Sequence, residues 1–353
     1  MRGARALAAT GATIAALLAF GVASASAVVP NPNPWLQMRF LNIAHQGGED
    51  EAPSNTMFAF RSAIEDRGAD MLELDVQLTK AGQLVVIHDD TVTRTTNGPK
   101  RRPQSQVRNM GLARLQALDA GYWFRPGSYS HNPNIPASEF IYRGIRTGER
   151  PPPPGYSADD FRIPTLREVL DAFPSTPINI EIKQPKICDG GIECDAAGVL
   201  ALRTATALAR LLDRPAYASR RDLLVVSFSD AALATFNLSD APPKVALAPA
   251  LAGVATYALT GLPPVPDVAA FQVPPSQYGF ALPEMLIHDQ NAHADGYAVH
   301  VWPNSDEPDG EASYARFLQM GIDGYMSSQP SRLHAFLCAQ GVPRPDGSAR
   351  CPG

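Results

Sequence analysis

The chain has 353 residues and a mass of 37.8 kDa, and 45% of its residues are hydrophobic. This apolar content excludes a wholly disordered chain and is sufficient for a full-sized core. The formal net charge is -5, so a nucleic-acid partner, which needs a basic surface, is not expected. The length fits one α/β barrel of about 250 residues with a leader and insertions.

The first 27 residues have the pattern of an export signal. Arg2 and Arg5 precede an apolar stretch over about 14–22, and the small residues of 23–27 offer A-x-A cleavage sites. An uncleaved membrane anchor is the alternative, but the apolar stretch is shorter than the roughly 20 residues that span a bilayer. We predict a signal peptide over 1–27, a secreted mature chain over 28–353, and no transmembrane anchor in that mature chain.

Apolar residues after Phe40 alternate between the periods of strands and of helices. Strands are predicted over 41–44, 71–78, 84–87, 178–182, 223–228, 245–248, 269–273, 298–302 and 324–326. Helices are predicted over 56–66, 165–172, 196–212, 283–295, 310–320 and 329–339, and one more begins at Ser229. About eight βα units indicate a parallel (β/α)8 TIM barrel. An open doubly wound sheet is less favoured, because no G-x-G-x-x-G follows a strand.

Two other features bear on the organisation of the chain. The Pro-rich, irregular residues of about 98–162 are predicted to form an insertion after the second strand region. The four cysteines fall into two close couples, Cys188 with Cys194 and Cys338 with Cys351. In an oxidising compartment each couple is expected to form a disulfide. A zinc site is disfavoured, because the sequence has neither a C-x-x-C pair nor a histidine at ligand spacing.

Ionisable residues occupy neighbouring strand ends, where a barrel carries its catalytic groups. These residues are His45, Glu73, Asp75, His88, Glu181 and Lys183. Side chains two apart in a strand share a face, so Glu73 lies on the same face as Asp75, and Glu181 on the same face as Lys183. Because catalytic groups of a barrel gather at the same mouth, Glu73, Asp75 and Glu181 are expected to converge there. Three buried carboxylates repel one another unless a cation lies among them, and oxygen ligands suit Mg²⁺ or Ca²⁺. A structural network neutralised by Lys183 and nearby arginines is the alternative.

The two histidines beside such an ion are suited to acid–base catalysis near neutral pH. A bound cation with a lysine beside it attracts an anion, and phosphate is the natural candidate. From the residues alone we therefore expect hydrolysis of a phosphate ester, with His45 and His88 as the acid–base pair.

Several motifs, taken in order, carry a resemblance to a known family. They are Ala44-His45-Gln46-Gly47, Ala52-Pro53-Ser54-Asn55-Thr56, the run 68–76, Val86-Ile87-His88-Asp89 and Arg94-Thr95-Thr96. This block closely resembles glycerophosphodiester phosphodiesterases of the secreted bacterial type. Shorter matches farther on include Ile180-Glu181-Ile182-Lys183 and Val301-Trp302.

The resemblance implies a (β/α)8 barrel that hydrolyses a glycerophosphodiester, a small molecule, to sn-glycerol 3-phosphate and an alcohol. It implies that His45 and His88 are the acid–base pair. By the same resemblance, Glu73, Asp75 and Glu181 hold a divalent metal ion, either Ca²⁺ or Mg²⁺. Lys183 is expected to contact the phosphate, and Trp302 to line the glycerol pocket. Which histidine is the acid stays open, as does the choice between water and the neighbouring glycerol hydroxyl as nucleophile. We expect a monomeric enzyme.

The sequence departs from the family pattern beside the first histidine. Gln46 stands where the family usually has a phosphate-binding arginine, and Ser54 where it usually has glutamate. One charge of each sign is absent, as the loss of a mutual ion pair would produce. Gln46 can still donate to a phosphate oxygen, but without charge assistance. Near the end, 327–330 reads Ser-Ser-Gln-Pro where the family usually has Thr-Asp-x-Pro.

These departures keep two alternatives open. One is a related phospholipase on the same barrel, either sphingomyelinase D-like or phosphatidylinositol phospholipase C-like, in which the aromatic residues of 122–124 would contact lipid. Those aromatic residues would otherwise pack within the insertion. The other alternative is a catalytically weak phosphodiester-binding protein.

Overall fold

The computed structural model describes residues 33–127, 134–183, 198–238, 246–248, 251–264 and 268–351. All of them belong to one unit, Asn33–Gly353. The predicted signal peptide and the Cys188–Cys194 couple lie outside the described residues. Among the described helices, none combines the length and the apolar character that crossing a membrane requires.

Within the described residues, eight parallel strands follow one another around the domain, and one further strand pairs antiparallel. The strands are β1 (Leu41–Ala44), β2 (Met71–Leu78), β3 (Leu84–Val86), β4 (Ile178–Ile182), β5 (Leu223–Val226), β6 (Ala246–Ala248), β7 (Ala270–Val273), β8 (Ala298–Val301) and β9 (Gly324–Ser327). Their hydrogen-bonded order is β6-β5-β4-β2-β1-β9-β8-β7, and β3 pairs with β2.

The first and last strands are neighbours, which is the closure that a (β/α)8 barrel requires. Leu41 of β1 lies opposite Gly324 of β9 in a parallel ladder. Every other pair of barrel strands adjacent in sequence is also hydrogen-bonded, except that no ladder joins β6 to β7 in the described part of the chain. The predicted TIM barrel is therefore confirmed.

The described helices are α1 (Pro34–Gln37), α2 (Met57–Glu65), α3 (Leu112–Gln116), α4 (Leu166–Ala172), α5 (Val199–Leu212), α6 (Asp230–Leu238), α7 (Leu251–Thr260), α8 (Leu282–Glu284), α9 (Glu311–Met320) and α10 (Pro330–Ala339). Apart from α1 and α3, the helices contribute side chains to the apolar cluster on the outer face of the strands. The prediction of a helix over 283–295 was too long. After α8 the chain makes a π-helical turn, Met285–Asp289, and Asn291 adopts a φ of 54°.

The two faces of the strands carry separate apolar clusters. On the outside, Leu72, Leu74 and Val76 of β2 belong to the same cluster as Phe60 of α2. The inside cluster contains Trp35 of α1 and alternate strand residues: Leu41, Ile43, Met71, Leu224, Ala270, Ala298 and Met326. Because side chains alternate along a strand, Glu73 and Asp75 share the inward face of Met71. The carboxylates of Glu73 and Asp75 therefore lie inside the barrel, next to this inner apolar cluster and closer than Met71 to the C-terminal end of β2.

The segment between β3 and α4 contains α3, short 3-10 turns and clustered aromatic rings. Trp123 is 8% exposed, and its Nε1 donates a hydrogen bond to the carbonyl of Thr96 at 2.9 Å. The guanidinium of Arg143 lies 4.6 Å from the centre of the Trp123 ring, and Phe124 stacks on Tyr142. Trp123 and Phe124 thus pack within this segment instead of facing a lipid. The assignment of 98–162 as an insertion stays a prediction.

The C-terminal end is fastened to the base of the barrel. Cys338 of α10 and Cys351 form a disulfide with Cα atoms 5.7 Å apart, which confirms that predicted pair. Arg350 lies between them in sequence and donates to Asp70 at 2.8 Å and to the carbonyl of Phe40 at 3.2 Å. These contacts join Arg350 to the residues that directly precede β1 and β2.

Candidate active site

β1 leads into a tight turn that begins at His45. Gln46 and Gly47 have positive φ angles of 50° and 82°. A Cβ atom on Gly47 would lie 2.7 Å from the Cβ of Ala59, so this position has no room for a side chain. The turn aims the backbone N–H of Gln46 at Glu73 Oε2, to which it donates at 2.7 Å. The backbone after β1 is therefore tied directly to the carboxylates of β2.

Three carboxylates converge inside the mouth of the barrel. One oxygen from each of Glu73, Asp75 and Glu181 lies within 4.8 Å of the other two. Asp75 is fully buried and Glu73 is 2% exposed, whereas the side chain of Glu181 is 13% exposed. Parallel pairing of β2 with β4 sets Asp75 opposite Glu181. The structure thus brings together all three residues that were expected to converge.

Lys183 balances only part of the charge of these carboxylates. Its Nζ lies 2.8 Å from Glu181 Oε1 and 3.4 Å from Asp75 Oδ1. Burial opposes ionisation of Asp75, but Lys183 and the two histidines outweigh it and hold the pKa of Asp75 below its usual value. Burial and the neighbouring charge of Asp75 raise the pKa of Glu73 to about 8. The raised pKa of Glu73 shows that the three carboxylates repel one another when all are ionised, and a cation among them would relieve this repulsion.

The chemistry of the donors fits a hard divalent cation. Asp75 Oδ2 accepts a hydrogen bond from Asn55 Nδ2 at 2.8 Å, whereas the buried Oδ1 accepts none from the described residues. Buried carboxylate oxygens with free lone pairs are the ligands that Mg²⁺ and Ca²⁺ prefer. Glu73, Asp75 and Glu181 can therefore hold a metal ion.

Each histidine of the expected acid–base pair has a carboxylate at its Nδ1 atom. His45 Nδ1 lies 2.5 Å from Glu49 Oε1, and His88 Nδ1 lies 2.7 Å from Asp89 Oδ1. The other nitrogen of His45, Nε2, lies 3.8 Å from Glu73 Oε2. The sequence analysis did not find Glu49, because its reach to His45 depends on the turn that follows β1.

Contacts between the histidines and these carboxylates change the pKa values of His45 and Asp89. Burial lowers the pKa of His45, but the charges of Glu49 and Glu73 outweigh it and raise that pKa to about 10. A divalent cation among the carboxylates would lower it again, because it adds positive charge beside the imidazole. Burial also opposes ionisation of Asp89, yet hydrogen bonds from His88 and from Arg94 keep the pKa of Asp89 below its usual value.

The residues that are expected to contact the substrate lie in different surroundings. Lys183 is held against the carboxylates. Gln46 is 3% exposed, and its Oε1 has no hydrogen-bond partner among the residues that the structure describes. Trp302 follows β8, and its ring centre lies 6.3 Å from that of Phe228. Phe228 is 51% exposed. Ser227-Phe228 is one of the shorter matches to the family in the sequence, but the sequence analysis assigned Phe228 no role in the site. The rings of Trp302 and Phe228 thus form an edge-to-face aromatic pair.

Residues 45–331, which include all of these groups, match the model of the Glycerophosphoryl diester phosphodiesterase family. The chain belongs to this family. The resemblance found in the motifs is thereby confirmed, and the family is one of phosphoric diester hydrolases.

Curated relatives bear the name of the family. A glycerophosphodiester phosphodiesterase of Caldanaerobacter subterraneus subsp. tengcongensis is 39% identical over 158 residues, which cover 44% of this chain and 50% of the relative. One from Bacillus subtilis is 27% identical over 300 residues, covering 84% of this chain and 86% of the relative. The chain thus spans half the length of the first of these relatives.

A solved structure of a phosphodiesterase has the same fold. It is an Oleispira antarctica phosphodiesterase in complex with the product sn-glycerol-3-phosphate. It aligns with a TM-score of 0.57 at 22% identity, and the alignment covers 86% of this chain and 98% of the other. This likeness supports the barrel architecture.

Proposed function

We propose that this protein is an exported, metal-dependent enzyme that hydrolyses glycerophosphodiesters to sn-glycerol 3-phosphate and an alcohol. The observation that carries the proposal is the meeting of three carboxylates from β2 and β4 with His45, which directly follows β1. His88 follows β3 and is close enough to lower the pKa of Asp75. Family membership supports the reaction class, and the product held by the Oleispira relative supports glycerol phosphate as the product.

Glu73, Asp75 and Glu181 would hold the ion, which we propose to be Mg²⁺ or Ca²⁺. When bound, the ion supplies positive charge that stabilises the phosphate in the transition state. Lys183 adds a fixed positive charge at the same place, because it is already held by Asp75 and Glu181. Removal of either charge should therefore lower the rate.

The histidines would move the protons of the reaction. Since Nδ1 of His45 faces Glu49 and Nδ1 of His88 faces Asp89, the Nε2 atom of each ring is left for the substrate. One Nε2 removes the proton from the attacking hydroxyl, a new P–O bond forms, and the bond to the alcohol breaks. The other Nε2 gives its proton to the departing oxygen. The attacking hydroxyl is that of water, which gives sn-glycerol 3-phosphate directly, or that of the neighbouring glycerol carbon. In the second case a cyclic phosphate forms, and water then opens it to sn-glycerol 3-phosphate.

The remaining contacts would select the substrate. The amide group of Gln46 would donate to a phosphate oxygen, which gives a weaker bond than the guanidinium usual in the family. Trp302, backed by Phe228, would pack against the glycerol carbons. The proposal therefore predicts activity on small deacylated diesters, with weaker phosphate binding than an arginine provides.

Release of sn-glycerol 3-phosphate from glycerophosphocholine, -ethanolamine, -inositol and -glycerol tests the proposal. Each diester is incubated with Mg²⁺, with Ca²⁺ or with EDTA, and intact phospholipids serve as the comparison. We expect release from at least one diester with a divalent ion, and none after exhaustive chelation. A rate equal to the buffer background with both ions would contradict the proposed activity, and full activity in EDTA would contradict the metal requirement.

Export is proposed on the basis of the sequence of 1–27 and the Cys338–Cys351 disulfide, which suits an oxidising compartment. Protein recovered from the culture medium should begin at Ser26 or Val28, after either cleavage site. An N-terminus at Met1 in a cell-bound protein would contradict export.

A further inference from the structure

We propose that Glu49 is a positioning residue for His45. It holds the proton of the neutral imidazole on Nδ1 and so directs Nε2 toward the substrate. This inference rests on the proposed function, in which His45 transfers a proton.

The contact between these two residues is short, and its Glu49 side is buried. Glu49 Oε1 lies 2.5 Å from His45 Nδ1, and Glu49 is only 5% exposed. Its second oxygen, Oε2, is buried and has no hydrogen-bond partner in the part of the chain that the structure describes. A carboxylate is costly to bury when it is only partly bonded. The bond to His45 is thus the polar contact that holds this side chain in place.

The backbone between the two residues is shaped to bring them together. Gly48 has a φ of 88°, and its N–H donates to the carbonyl of His45 at 2.7 Å, closing the turn. A Cβ atom on Gly48 would lie 2.7 Å from Pro330 Cδ, so the turn also packs tightly against the start of α10. Because the chain reverses within three residues, the carboxylate of Glu49 comes within hydrogen-bonding distance of His45 Nδ1.

The pairing determines which nitrogen of His45 is available. A neutral imidazole has one N–H donor and one acceptor nitrogen, and a carboxylate can only accept. The Nδ1–H donates to Glu49, so the lone pair of the neutral ring lies on Nε2, the atom 3.8 Å from Glu73 Oε2. His88 is oriented in the same way by Asp89, which is itself held by Arg94. The two histidines thus present the same nitrogen to the site.

Three variants test the inference through kinetics. Glu49→Ala removes the acceptor, whereas Glu49→Gln keeps a carbonyl oxygen that can still accept from Nδ1. Glu51→Gln is the matched control, because Glu51 lies in the same loop but pairs with Arg67 at 3.3 Å. We expect Glu49→Ala to lower kcat by about 10- to 100-fold with KM changed by less than about twofold. Glu49→Gln should recover most of the loss, and Glu51→Gln should keep the wild-type kcat.

The ring itself gives a second readout that does not depend on activity. In protein labelled with ¹⁵N-histidine and measured with Mg²⁺ at a pH at which the His45 ring is neutral, we expect His45, assigned by its loss in His45→Ala, to show a downfield Nδ1–H signal and no proton on Nε2. That signal should be retained in Glu51→Gln and lost in Glu49→Ala. A wild-type His45 protonated on Nε2 while neutral would overturn the inference, even if the Glu49 variants do not fold.

The same kinetics separate this inference from the function on which it rests. If His45→Ala is inactive while Glu49→Ala keeps kcat within about twofold of the wild type, the role of Glu49 is wrong and the role of His45 stands. If His45→Ala keeps the wild-type rate, the proposed function of His45 is wrong, and the inference is overturned with it.

Discussion

Asp75 lies directly opposite Glu181 in the parallel ladder between β2 and β4. This pairing places carboxylates from two strands at the same height inside the barrel. Glu73 lies two residues before Asp75 on the same face of β2, and one of its oxygens is within 4.8 Å of an oxygen of each of the other two carboxylates. The register of two strands thus fixes the spacing of the candidate metal ligands. A rigid sheet holds these oxygens together despite their repulsion.

Binding of a divalent ion should stabilise the folded chain. We expect Mg²⁺ or Ca²⁺ at 100 times its Kd to add about 2.7 kcal/mol to the free energy of unfolding, because only the folded state assembles the three carboxylates. Thermal unfolding with the ion and with EDTA measures this effect. Glu181→Gln should abolish most of the shift, because it removes one ligand charge, while the ion-free protein stays folded because Lys183 keeps Asp75 as a partner. An equal shift in Glu181→Gln would place the ion elsewhere.

Loss of either proposed proton-transfer residue should lower kcat strongly without unfolding the chain. The expected reduction for His45→Ala or His88→Ala is roughly 100- to 10,000-fold. Both side chains are about one third exposed, at 34% and 33%, so their removal leaves no large cavity in the core. Steady-state rates on a glycerophosphodiester, with circular dichroism as the folding control, measure the effect. Near wild-type rates in both single variants would remove these histidines from the mechanism.

The turn after β1 should be intolerant of a side chain at Gly47. Gly47→Ala meets both a positive φ of 82° and a contact of 2.7 Å with Ala59 Cβ. We expect the free energy of unfolding in urea to fall by about 2 to 4 kcal/mol. Gly82→Ala is the matched control: it has the same φ, but a Cβ there meets nothing within 4 Å. Its loss should be limited to about 1 to 2 kcal/mol of backbone strain. Equal losses would show that packing against Ala59 contributes nothing.

His300 should make the stability of the protein depend on pH. It is fully buried in β8, and burial lowers its pKa to about 4. Between that value and an unfolded pKa of about 6.5, the unfolded chain binds a proton that the folded chain does not. Stability contributed by the neutral ring is therefore fully present above about pH 6.5 and falls as pH falls. From pH 7 to pH 5 the expected loss is about 2 kcal/mol.

Urea unfolding of the wild type and of His300→Gln at pH 7 and pH 5 isolates this effect. Glutamine can retain a hydrogen bond with Gln272, which lies 3.3 Å from His300 Nδ1, but it does not titrate. The difference between the two proteins should shrink or reverse at pH 5. A difference that is the same at both values would show that His300 titrates alike in the folded and unfolded chains.

Strands, and site residues placed by their spacing within a strand, could be predicted from the sequence because the alternation of apolar residues reveals both. The alternation over β2 placed Glu73 and Asp75 on one face, and the strands then brought Glu181 to them. Helix α7 was missed, because the apolar residues of 251–260 are spread around the helix and leave no clear stripe. Glu49 was missed for another reason: its contact with His45 depends on a left-handed turn whose geometry no periodicity reveals.

The position of the metal ion itself tests the central claim most directly. Crystals grown with Mn²⁺, as a substitute for Mg²⁺ that scatters anomalously, would locate the ion. We expect one anomalous peak bounded by Glu73, Asp75 and Glu181, with the rings of His45 and His88 on either side, and no peak in Glu181→Gln. A peak elsewhere, or none while the three carboxylates remain together, would contradict the account.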